Sequence, residues 1–64
     1  ASKVTAELIK LRPRNIIYVA CDPVALARDL KDLLASGYNL QGIKAFDLFP
    51  HTHHFETVAA LSIT

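Results

Sequence analysis

The chain has 64 residues, 52% of them hydrophobic, and a formal net charge of +1. That apolar share excludes a disordered tail, and so mild a charge gives no electrostatic argument for nucleic acid. One cysteine excludes an internal disulfide and fits a reducing compartment, so a cytoplasmic location is expected. No apolar run approaches the ~18–20 residues that cross a bilayer, and no membrane partner is expected.

Residues 2–11 read as a helix with Val4, Leu8 and Leu11 on one stripe and Lys3, Glu7 and Lys10 elsewhere. Pro13 disfavours helix at Arg12 and ends it. From Asn15 to Cys21 the chain then runs almost without polar interruption, rich in Ile, Val and Tyr. Such a run, stopped by Asp22-Pro23, suits a strand covered on both faces, as in a parallel sheet. Asp22 is a good N-cap, and Pro23 has the fixed φ favoured at a first helical position.

Val24 to Ser36 reads as the strongest helix. Leu26, Leu30, Leu33 and Leu34 fall at i, i+4, i+7 and i+8, with Arg28, Asp29, Lys31 and Asp32 assigned to a solvated face. Gly37 should end it as a left-handed residue. A second strand spans roughly Leu40 to Asp47, and a third runs from about Phe55 to Ile63. Only Leu48 to His54 join them, and a parallel crossover needs about a dozen residues or more, so the pair should be antiparallel. The expected class is α/β, in the order α-β-α-β-β. A doubly covered strand needs a layer on each side, for which a chain this short has little material. The carboxyl-terminal piece of a larger α/β domain is therefore expected.

Cys21 would sit at the carboxyl end of a strand beside a helix start, the edge where open α/β sheets bind ligands. The bland reading is a buried structural thiol. His51, His53 and His54 invite a metal reading with Cys21, but adjacent histidines point apart in an extended chain and no finger-like spacing exists. No metal is expected. Glu56 opens an otherwise apolar strand, where burying an unpaired carboxylate is expensive. It either stands in water at the sheet edge or is placed for chemistry.

Two stretches carry a family resemblance that covers about Ile16 to Leu61. Tyr18-Val19-Ala20-Cys21-Asp22-Pro23 and Asp47-Leu48-Phe49-Pro50-His51-Thr52-His53-His54-Phe55-Glu56 resemble signatures of the S-adenosylmethionine-dependent RNA uracil-C5 methyltransferases, which make 5-methyluridine in tRNA and rRNA. The second is the more specific, with Asp47, Phe49, Pro50, Thr52, His54 and Glu56 at family positions. In the first, Ala20, Asp22 and Ala25 stand where the family usually has Ser, Asn and Thr.

The resemblance implies the carboxyl-terminal part of a class I Rossmann-like catalytic domain, here residues 1–64, closed by an antiparallel hairpin that inserts its last strand beside the first. It implies Cys21 as the nucleophile that adds to uracil C6 and Glu56 as the base that removes the C5 proton. Cytosine-C5 RNA enzymes resemble this pattern with a second cysteine, absent here, which favours uracil. The target base must leave its stack to expose C6. No glycine-rich loop follows a strand, so the S-adenosylmethionine site is expected upstream and the segment alone is expected to be inactive. The expected partners are RNA (tRNA or rRNA) and the remainder of the methyltransferase domain. The competing reading is a non-catalytic α/β interaction or structural segment that keeps the family's shape.

Overall fold

The computed structural model describes residues 3–47 and 55–63. Its elements are α1 (Lys3–Leu11), β1 (Asn15–Ala20), α2 (Pro23–Ala35), β2 (Asn39–Asp47) and β3 (Phe55–Ser62). The three strands form one sheet in the order β1-β3-β2. The last strand is thus central. It pairs antiparallel with β1 from Asn15↔Ser62 to Ala20↔Thr57, and antiparallel with β2 from Asn39↔Ser62 to Asp47↔Phe55. The β2 register shifts between Leu40 and Gly42. The expected α/β order and antiparallel final pair are both present.

Among the described residues β1 has one partner, the antiparallel β3, and one covered face, so burial alternates along it. Ile16 is 6% exposed, whereas Ile17 and Val19 are 67% and 60% exposed. Period-two geometry sends these neighbours to opposite faces. Both helices pack on the Ile16 side, where Leu8, Ile9, Leu26 and Leu33 meet Ala59 and Leu61. An unbroken apolar run encodes two apolar faces, and the described residues cover only one of them.

α2 begins and ends as its sequence dictates. Asp22 has extended dihedrals and its carboxylate accepts from the N–H groups of Val24 and Ala25, with Pro23 in the first turn. At the other end Gly37 has φ 111°, a value that glycine adopts without a Cβ clash. Its N–H donates to the Leu34 carbonyl and that of Tyr38 to Leu33, closing the last turn in a Schellman arrangement.

α1 is rotated from its expected face. Val4 and Leu11 are exposed, and Thr5, Leu8 and Ile9 turn inward instead. Arg12 leaves the helix at φ 51°, in the left-handed region. Three contacts hold it there. Its N–H donates to the Leu8 carbonyl, its Nη1 donates to the Ser36 carbonyl at 2.9 Å, and its guanidinium lies 5.8 Å from the Tyr38 ring centre. The Tyr38 hydroxyl in turn donates to the Pro13 carbonyl, so the α1–β1 connection is pinned to the end of α2.

The core comprises Ile16, Leu26, Leu33, Tyr38, Ala59 and Leu61. Leu33 is fully enclosed between helix and sheet. Leu33→Ala should cost about 2–5 kcal/mol, read as a lower urea midpoint at similar slope. An unchanged midpoint would contradict this core. Among the described residues no helix is long and apolar enough to cross a membrane.

Candidate active site

Cys21 directly follows the last residue of β1, and Glu56 is the second residue of β3. The final register pair of these strands is Ala20↔Thr57, so Cys21 and Glu56 flank it at the same edge of the sheet. The arrangement is a product of strand order. Because β3 inserts antiparallel beside β1, the start of one strand meets the end of the other. Cys21 is a free, exposed thiol, and Glu56 is half-buried. Phe46 of β2 pairs with Glu56 on its other side.

The turn that carries Cys21 is short and braced. Cys21 stands between the end of β1 and Asp22, whose Oδ1 accepts from Val24 N–H at 3.0 Å and from Ala25 N–H at 3.4 Å. The cap satisfies two donors that a helix N-terminus otherwise leaves open. A groove of about 330 Å³ opens on the uncovered sheet face, lined by Gly42, Ile43, Lys44, Phe46, Val58 and Ala60. It lies next to the edge, at Phe46, and its lining includes neither Cys21 nor Glu56.

A second polar group joins β1 to α2, the elements on either side of the turn. Asp29 was expected in the solvated charge cluster of α2, but it is 3% exposed. The Tyr18 hydroxyl of β1 donates to its Oδ2, the Arg28 Nε donates to its Oδ1 at 3.4 Å, and Thr5 of α1 adds a side-chain hydrogen bond. Tyr18's hydrogen bond holds the Asp29 carboxyl below the usual carboxylate range, against the upward push of burial, with Thr5 and Arg28 lowering it further. The same bond, then burial, raises the Tyr18 hydroxyl. Helical periodicity could not reveal this group, because its partners belong to three different elements.

Among the described residues no cluster of three His, Cys, Asp or Glu side chains could hold a metal. The metal question raised by His51, His53 and His54 lies outside the described residues, as do Phe49, Pro50 and Thr52 of the second signature.

The comparisons with known proteins bear on the same stretches. The family model described as tRNA (uracil-5-)-methyltransferase matches residues 2–63. A 23S rRNA (uracil(1939)-C(5))-methyltransferase RlmD of Yersinia enterocolitica is 46% identical over 59 residues, 92% of this chain and 13% of its own length. An uncharacterized RNA methyltransferase of Streptomyces avermitilis is 54% identical over 59 residues, 92% of this chain and 14% of its own. One of Thermotoga maritima is 48% identical over 59 residues, with 92% and 13% covered. The chain therefore spans only about one seventh of the length of these relatives. It belongs to the tRNA (uracil-5-)-methyltransferase family.

Proposed function

We propose that residues 1–64 form the carboxyl-terminal part of the catalytic domain of an RNA uracil-C5 methyltransferase, completing a class I Rossmann-like sheet. Cys21 is its nucleophile and Glu56 its proton acceptor. The observation that carries the reading is the antiparallel β1–β3 register, with Cys21 and Glu56 flanking its last pair at one sheet edge. The family match supports the substrate class, RNA, and the lone cysteine supports action in the cytoplasm.

Uracil C5 is a weak nucleophile. Addition of the Cys21 thiolate to C6 forms an S–C6 bond and moves the C5–C6 π pair onto an enolate with carbanion character at C5. Once C5 carries its new substituent, Glu56 accepts the C5 proton. The released pair re-forms the C5–C6 double bond and expels Cys21 as thiolate. A soft nucleophile below C6 and a base near C5 are thus both required, and a single edge that offers both meets the need.

S-adenosylmethionine supplies the methyl group in this reading. The described residues do not fit a site for it: Gly37 closes α2 and Gly42 lies within β2, so neither belongs to a glycine-rich turn after a strand. The donor site is assigned upstream, and the segment alone is inactive.

The test uses the full-length protein that carries this segment, methyl-labelled S-adenosylmethionine and unmodified rRNA and tRNA transcripts. Labelled 5-methyluridine in the digested RNA is the expected product. No label in any of several RNAs would favour the non-catalytic reading instead.

A further inference from the structure

We propose that Asp29 is a positioning residue for Cys21, acting through its hydrogen bond with Tyr18. The inference rests on the reading of Cys21 as the nucleophile. Tyr18 lies three residues before Cys21 on β1, and Asp29 lies eight residues after it, about two turns into α2. The strand and the helix are two legs that meet at the Cys21-Asp22 turn. The Tyr18–Asp29 hydrogen bond is a crossbar between them.

The chemistry of the crossbar argues for orientation over simple cohesion. A carboxylate 3% exposed carries a desolvation cost that apolar residues of like volume avoid. Leu26 and Leu33 on the same helix show that apolar side chains pack well against this sheet. Non-directional contacts, however, do not fix the angle between strand and helix, whereas a charge-assisted hydrogen bond does. Thr5, fully buried, adds a hydrogen bond to the same carboxylate, and Arg28 adds a charge-assisted one. Asp29 thereby ties α1, β1 and α2 at one point.

Position matters at this turn because covalent addition needs the sulfur about 3–3.5 Å from C6, and a shift of 1 Å can cost ~10²-fold. Asp22 fixes only the first turn of α2. The crossbar sets where that helix stands relative to the strand.

The test uses Tyr18→Phe and Asp29→Asn in the full-length protein, with Cys21→Ser as reference. The probe is an RNA transcript carrying 5-fluorouridine, supplied with S-adenosylmethionine: once C5 is methylated its fluorine cannot leave as a proton does, so that the covalent protein–RNA adduct persists. Single-turnover adduct formation is measured beside RNA binding and thermal unfolding. Tyr18→Phe keeps the ring and deletes only the crossbar. Its adduct rate should fall about 10–100-fold with RNA affinity within ~2-fold of wild type and cooperative unfolding retained. Asp29→Asn, which still offers an acceptor to the Tyr18 hydroxyl, should lose less.

Wild-type adduct rates in both folded variants, with Cys21→Ser inactive, would overturn the proposal and leave the nucleophile reading intact. An unfolded Tyr18→Phe, or RNA affinity that falls in step with rate, would make the group a stability element and also overturn it. Methylation by Cys21→Ser at the wild-type rate would remove the nucleophile reading itself.

Discussion

Cys21→Ser in the full-length protein should lower uracil methylation on the order of 10³-fold or more while RNA binding stays near wild type. Serine is close in size to cysteine, so the exposed turn between β1 and α2 accepts it without repacking. Its hydroxyl is far less ionised than a thiol near neutral pH and is a poorer partner for C6. The Asp22 cap does not involve the sulfur, so α2 should keep its start. Most contacts with a nucleic acid go to its backbone, and no binding contact is assigned to the thiol, which separates affinity from turnover. The measurement is label incorporation beside a filter-binding isotherm. Wild-type incorporation would remove Cys21 from the mechanism.

Glu56→Gln should fail at a later step, and the difference is diagnostic. The thiolate still adds and C5 still gains its methyl group, but glutamine cannot accept the C5 proton. Turnover should fall about 10²–10⁴-fold, the range for loss of a positioned base. A methyl-bearing covalent adduct should accumulate, visible as a slow band on a denaturing gel with labelled donor. Glu56 is half-buried within β3, between the β1 edge and Phe46 of β2, and glutamine has nearly its shape. The sheet should therefore be preserved. Normal turnover with no slow band would exclude Glu56 as the base.

Much of the fold was legible because its determinants are local. The Asp22-Pro23 start and the Gly37 stop of α2 each follow from a single residue's backbone chemistry. The antiparallel β2–β3 pair followed from the length of the Leu48–His54 connection, a constraint independent of packing. The family resemblance supplied what length could not, the insertion of β3 beside β1.

What the sequence hid was non-local. Asp29 looks like one more charge on a solvated face, flanked by Arg28 and Lys31. Its burial depends on Thr5 and Tyr18, which are distant in sequence and belong to other elements. The inward turn of Thr5 also accounts for the rotation of α1, with Leu8 and Ile9 following on the same side and Val4 and Leu11 left outside. The candidate site was half legible. Cys21 and Glu56 stood out as residue types in unusual places, but their meeting at one edge depends on strand order. No pattern along a single strand contains that information.

The order β1-β3-β2 also bears on how the chain comes off the ribosome. The two outer strands have no hydrogen bonds to one another, and each pairs with β3, which follows both in the chain. During synthesis at about 5–20 residues per second, α2 can form before β3 emerges, whereas the β1–β3 and β2–β3 ladders cannot. Until Phe55–Ser62 emerges, none of this sheet's ladders can close. Neither can the edge shared by Cys21 and Glu56 exist before then. Cys21 is made before Glu56, and the strand that carries Glu56 completes both ladders and the shared edge together.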